Sequence, residues 1–168
     1  MTEKRPQIKI QKTKIELTID FLTWVIVTAV CVYTIVEYTH LPKTIPIHFN
    51  SAGVADGFGN KSTILTLPII LVFLTILMSL VSKFPHQFNY PNKITPENAL
   101  RQYKLATNLI RYLKLAIVFI FSQITVSTIW IANGKKTGLG VWFLPLSVGI
   151  IFTLIILFIF QSKKENIH

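Results

Sequence analysis

The 19 residues "ILTLPIILVFLTILMSLVS" (Ile64–Ser82) decide what kind of protein this chain is. They hold no charged side chain. They are long enough, as one helix, to cross the hydrocarbon of a bilayer, which takes roughly 17–25 mostly apolar residues. Three further runs repeat the pattern: Phe21–Val36 has 16 residues, Leu115–Ala132 has 18 and Leu139–Phe160 has 22. The first run lengthens to Tyr38 if Glu37 reaches the headgroup zone. Of the 168 residues, 51% are hydrophobic and only 14% are charged, too little polar surface for a soluble domain of this size. Unpaired backbone polar groups are not tolerated in lipid, so each run is read as a helix. A β-barrel would show short alternating segments, and the chain does not alternate for long.

The charge fits this reading. The formal net charge is +10. Of the 17 Lys and Arg residues, 13 lie before the first run, between the second and third, and after the fourth, whereas 4 lie in the other two connections. The positive-inside rule then puts both termini and the long 83–114 connection in the cytoplasm. The excess is thus assigned to topology, and no nucleic acid partner is expected. Trp24, Trp130 and Trp142 fall near run ends, as aromatic belt residues do. Cys31 is the single cysteine, so no disulfide can form within the chain. The "TAVC" before it has Val30 where a lipoprotein box wants a small residue, and the segment offers no Ala-x-Ala cleavage site. The first run is therefore expected to stay as a signal-anchor helix.

Residues 1–17 are read as a basic cytoplasmic tail, frayed or lying on the membrane. In "ITPENALRQYKLATNLIRYLK", Thr95 suits an N-cap, Pro96 the first helical position and Glu97 the positive helix end. No breaker follows before Gly134, which predicts one long helix running from the cytoplasm into the third span. Arg101, Lys104, Asn108 and Arg111 recur at spacings of 3, 4 and 3, so Arg101, Lys104 and Arg111 are expected on one face, meeting lipid headgroups or solvent. Ser122, Gln123, Thr125, Ser127 and Thr128 in the third span are expected to glue helices together. Asp20 lies where Lys83 or Lys114 could pair with it.

The most specific local signal is "LPKTIPIHFNSAGVADGFGNK" (Leu41–Lys61). Pro42 and Pro46 favour extended backbone, "NSAG" and Asp56-Gly57 offer turns, and Gly53, Gly57 and Gly59 suggest positive φ or close backbone contact. A compact, hairpin-like lid over residues 41–63 is predicted. His48, Asn50, Gly53, Asp56, Gly57, Gly59 and Lys61 are its candidate structural or ligand-binding residues. Glu37, His40, His48 and Asp56 could supply a divalent-metal site, although tight ligand spacing is missing and no metal or other cofactor is assigned. No activated serine or cysteine nucleophile is visible, and no catalytic residue is assigned.

The loop resembles the signature of a bacterial domain-of-unknown-function family, number 1648. The pattern is Leu-Pro, Ile-Pro-x-His-aromatic-Asn, Gly, Asp-Gly-aromatic-Gly and Lys. Leu41, Pro42, Ile45, Pro46, His48, Phe49, Asn50, Gly53, Asp56, Gly57, Phe58, Gly59 and Lys61 match it in order. The resemblance covers roughly Phe21–Val81. It implies a short form of the SdpI-type membrane proteins, which protect against a secreted peptide toxin and capture a repressor at the membrane. The family gives no established catalytic residues.

The expected fold class is an all-α, four-helix transmembrane bundle with a structured extracytoplasmic loop between helices 1 and 2. Residues 18–160 form the domain, 95–114 an amphipathic cytoplasmic helix and 161–168 a cytoplasmic tail. The expected function is a non-enzymatic immunity or signalling role toward an extracytoplasmic peptide or protein, in a bacterial inner or plasma membrane. A homo-oligomer is compatible with it. A small transporter or transporter accessory subunit, and a metal-dependent membrane enzyme, are the alternatives.

Overall fold

A computed structural model describes residues 5–164; the ends of both predicted tails, residues 1–4 and 165–168, lie outside the described residues. The elements in chain order are α1 (Lys14–Tyr38), β1 (Thr44–Phe49), β2 (Ala55–Asn60), a 3₁₀ turn (Lys61–Leu65), α2 (Thr66–Val81), a short 3₁₀ turn (Pro85–Gln87), α3 (Ala99–Ala132) and α4 (Phe143–Lys164). Among the described residues, four helices are long and apolar enough to cross a membrane. The all-α expectation needs one correction, because the 41–63 segment holds a two-stranded antiparallel sheet.

The helices are inside out relative to a soluble bundle. The buried stripe of α1 is Thr23, Val27, Val30 and Thr34, and that of α2 is Pro68, Leu71 and Thr75. Both follow the 3,4 spacing of one helix face. The large apolar side chains point outward instead, as at Phe21, Ile35, Ile69, Phe73, Phe119 and Phe152. Such a continuous apolar exterior would be a liability in water and is the expected surface in lipid. Small inward residues let the helix backbones approach closely. Five of the inward hydroxyls, Ser122 and Thr125 of the third span among them, bond within their own helix instead of bridging to another. Thr23, Thr34, Thr75, Ser122 and Thr125 donate to the carbonyls of Ile19, Val30, Leu71, Val118 and Phe121, four residues back in their own helices. Each of the five satisfies its donor locally, so at these positions the interfaces gain close packing rather than a cross-helix bond.

Helix α3 is the centre of the molecule, touching α1, α2, α4 and β1. Its 34 residues make it about 50 Å long, well beyond the roughly 30 Å of a bilayer core. As predicted, it is one unbroken helix, but it starts at Ala99 with Asn98 at the N-cap position, so Thr95, Pro96 and Glu97 precede it instead of forming its first turn. Thr95 and Asn98 form a reciprocal turn before it: Asn98 Oδ1 accepts from the Thr95 N–H at 2.9 Å, and Thr95 Oγ1 from the Asn98 N–H at 3.4 Å. Glu97 is exposed, and a hydrogen bond with the Thr95 side chain holds its carboxyl below the usual range. Helix α4 leans on α3 and is largely exposed along its length. Its end is pinned at Ser162, whose hydroxyl donates to Gln102 Oε1 at 2.6 Å while its carbonyl accepts from Gln102 Nε2 and Asn92 Nδ2.

Residues 5–12 of the expected tail are neither frayed nor free. Residues 5–12 form an extended strap that returns across the start of α3. Ile8 and Ile10 pack near Ile94 and Tyr103, and the Tyr103 hydroxyl donates to the Pro6 carbonyl at 3.1 Å. Arg5 bonds the Phe88 carbonyl at 2.6 Å and lies over the Tyr90 ring. Burial in this cluster raises the Tyr90 phenol above its ordinary range. Thr13 and Glu16 then start α1 with a capping box.

Candidate functional site

The signature loop folds as the hairpin its turn residues predict. Asn50 makes the turn: its side-chain oxygen accepts from the N–H groups of Ala52 and Val54, both at 3.0 Å. Gly53 sits at φ +75°, where a side chain is strained. The hairpin tip does not stand free. The Leu139 N–H donates to the Gly53 carbonyl at 2.7 Å, and Val54 pairs with Gly138 in an antiparallel bridge. A Cβ on Gly53 would come within 2.6 Å of the Gly140 carbonyl oxygen, and one on Gly138 within 2.5 Å of the Gly53 carbonyl oxygen. The turn between α3 and α4 is therefore one half of a backbone clamp on the hairpin. Sequence reading treated that turn as simple punctuation and missed its partner.

The other signature residues sort by what they touch. Lys61 Nζ donates to the Tyr38 carbonyl at 3.1 Å and reaches the Leu41 carbonyl at 3.4 Å, 4.8 Å from the Tyr38 ring centre. It closes the C-terminal end of α1, where free carbonyls and the helix dipole favour a cation. Gly57 and Gly59 lie under His48 and Ile47, where a Cβ would come within 2.9 and 2.8 Å of those side chains. Leu41, Ile45 and Ile64 are buried with Ile129 and fix the hairpin base to α3.

His48 Nδ1 lies 2.5 Å from Asp56 Oδ1 across the strands, and both side chains are exposed. The structure brings these two metal candidates together. Glu37 instead takes a long 3.5 Å bond from Asn133 Nδ2, and His40 is exposed just after α1. Among the described residues, no group of three or more His, Cys, Asp or Glu side chains is placed to hold a metal ion.

Beneath the hairpin lies a cavity of about 550 Å³. Its walls come from β1 (Ile45, Ile47, His48), the start of α2 (Thr66), α3 (Thr128) and α4 (Leu144), among others. Helices α2 and α4 flank it, both packing on α3 and hardly on each other.

Sequence reading foresaw one pair of a larger charged cluster at the opposite end of the bundle. Asp20 accepts from Lys114 Nζ at 2.9 Å and from Lys12 Nζ at 2.6 Å, with Arg111 Nε 3.4 Å away. Lys114 also donates to Ser79 on α2 at 3.1 Å. Lys114 is thus the partner Asp20 takes, whereas Lys83 is not in this network. Arg101 and Lys104 are exposed, but Arg111 is 7% exposed, near Glu16 and bonded to Asn108. Arg111 thus leaves the exposed face expected for the stripe: the helix turns it toward α1, near the carboxylates of Glu16 and Asp20.

Comparison with known proteins places this geometry. Residues 25–72 match the family described as Domain of unknown function (DUF1648). That is the family its loop residues pointed to, matched over this segment. The DUF1648 segment runs from within α1 to the middle of α2 and contains the whole hairpin, whereas the clamping turn and the cationic partners on α3 lie outside it. An uncharacterized protein of the archaeon Archaeoglobus fulgidus is 30% identical over 78 residues, covering 42% of this chain and 43% of the relative. The alignment thus spans less than half of that relative. No solved structure matches the chain. The chain thus carries a segment similar to DUF1648, and among the described residues four helices could span a membrane.

Proposed function

We propose that this chain is a non-enzymatic, multi-pass membrane protein that receives an apolar peptide segment at its extracytoplasmic face, in the manner of SdpI-type immunity proteins. The observation that carries the reading is the groove of about 550 Å³ under the hairpin. It is mostly apolar, with a few polar groups from His48, Asn50, Thr66 and Thr128. That mixture suits an amphipathic ligand: apolar walls bind it and sparse polar groups orient it. The gap between α2 and α4 gives a lateral entrance from the lipid. The asymmetry of lysines and arginines favours an outward-facing hairpin with cytoplasmic termini.

The test is survival of cells expressing the chain when challenged with a panel of amphipathic membrane-active peptides. Thr66→Trp fills the groove from an exposed position on its rim. Protection by the wild type that Thr66→Trp abolishes, at equal expression, is the expected result. No protection against any peptide would overturn the immunity reading. Equal protection by the variant would remove the groove as the point of contact.

A further inference from the structure

A second cavity lies at the other end of the bundle, with a volume of about 350 Å³, at the small end of the roughly 300–1,000 Å³ range of ligand pockets. Three separate parts of the chain build it. The strap contributes Lys9 and Lys12, the end of α2 and the turn after it contribute Ser79, Ser82 and Lys83, and α3 contributes Arg111. Four of these six are cations, two are hydroxyls, and no carboxylate is in the lining.

The nearest acids do not balance the cations. Asp20 is shared by Lys12, Lys114 and Arg111, and Glu16 lies 3.8 Å from Arg111 while its other oxygen caps α1. Lys9 and Lys83 pair with no carboxylate among the described residues. Five cations thus face two carboxylates. Arg111 is more than nine-tenths buried, and its Nε lies 3.4 Å from Asp20 Oδ1 without forming a hydrogen bond to it. A buried donor without a well-formed hydrogen bond is costly, so an acceptor placed better than the shared Asp20 would stabilise the site. The C-terminal end of α2 also points here, but its roughly half negative charge is small against a surplus of three positive ones.

The position narrows the ligand. Asp20 directly precedes the first apolar run, and Ser79 lies near the end of the second, so the cavity sits where apolar helix gives way to charge. That is headgroup depth. Arginine, lysines and hydroxyls converging on one pocket are the chemistry of phosphate recognition. We infer that this cavity binds a phosphate-bearing anion, either the headgroup of an anionic phospholipid or a free phosphate compound.

The full chain, purified in an uncharged detergent, is titrated with phosphatidylglycerol and with phosphatidylcholine while bound lipid is counted by native mass spectrometry. Inorganic phosphate is the competitor. Lys9→Gln/Lys83→Gln is the test variant, because both side chains are exposed and outside the buried ion network. Lys104→Gln is the control on an exposed face. The wild type is expected to prefer phosphatidylglycerol, and the double variant to bind it roughly thirtyfold more weakly, as two lysines near an anionic surface should allow. Retention of the lipid against millimolar phosphate assigns the source as a headgroup. Displacement by phosphate assigns a free phosphoanion. Binding of neither probe by the wild type, or equal binding by the wild type and the double variant, overturns the inference.

Discussion

Asp20→Asn is the sharpest perturbation the fold offers. The carboxylate accepts from Lys12 and Lys114 and faces Arg111, and the Lys114 and Arg111 side chains are only 6% and 7% exposed. Neutralising it leaves two enclosed cations without their shared anion. Removing one partner of a buried ion pair costs about 3–5 kcal/mol. The Asp20 side chain is itself 18% exposed and adjoins a cavity, so water recovers part of that cost and about 2–4 kcal/mol is expected. In a chain of this length such a loss lowers the melting temperature by roughly 5–15 °C. The assay is thermal unfolding of the purified chain in detergent, followed by tryptophan fluorescence. A Lys114→Gln variant and the double variant complete a cycle. Since Lys114 is buried because Asp20 is there, the double variant should be clearly more stable than the sum of the two single losses predicts. A drop of less than about 2 °C for Asp20→Asn, or strict additivity in the cycle, would refute the idea that this cluster holds α1 to α3.

Three smaller perturbations probe the rest of the scaffold. Gly53→Ala forces a side chain into a left-handed position and against the Gly140 carbonyl, at a cost of about 1–2 kcal/mol before the clash is counted. Hydrogen exchange at the Leu139 amide, which bonds Gly53, should accelerate at least tenfold. Lys61→Met removes the cation that closes α1, for about 1 kcal/mol, and should raise exchange only in the last turn of α1 and the hairpin base. Gln102→Leu leaves Ser162 short of two buried partners, worth about 1–3 kcal/mol. Limited trypsin digestion should then cut at Lys163 or Lys164 much faster, with the hairpin unaffected.

The four helices were legible because lipid imposes a length and a lack of charge that local sequence shows directly. The hairpin was legible because Asn50, Gly53 and the two prolines act on the backbone next to them. What stayed hidden depends on contacts between distant residues. Nothing near Gly138 says that its missing side chain leaves room for the Gly53 carbonyl. The spacing of Arg111 from Arg101 and Lys104 suggested one exposed face, yet a helix that leaves the membrane turns different neighbours toward the same stripe. Arg111 meets α1, whereas Arg101 and Lys104, two to three turns earlier, are exposed. The hydroxyls of the third span were expected to glue helices together, but Ser122 and Thr125 bond to their own helix rather than across. A hydroxyl that can reach the carbonyl four residues back needs no partner helix, so its presence marks a close interface without naming the neighbour.

The signature residues divide into those that build the hairpin and those left over. Asn50 makes the turn, Gly53 admits the clamp, Gly57 and Gly59 clear space for the opposite strand, and Lys61 closes α1. Each is accounted for by a contact within the protein. His48 and Asp56 are different: they bond to each other on the exposed side of the strands, and neither is required to close a turn or a helix. His48 also lines the groove. A pair of that kind contributes little to stability when exposed, about 0–1 kcal/mol. His48→Ala should therefore melt within about 2 °C of the wild type while weakening any ligand that the groove holds. If the variant instead unfolds the hairpin, seen as fast exchange throughout residues 44–60, the pair is structural. The whole signature would then describe a lid, and recognition would fall to the apolar walls beneath it.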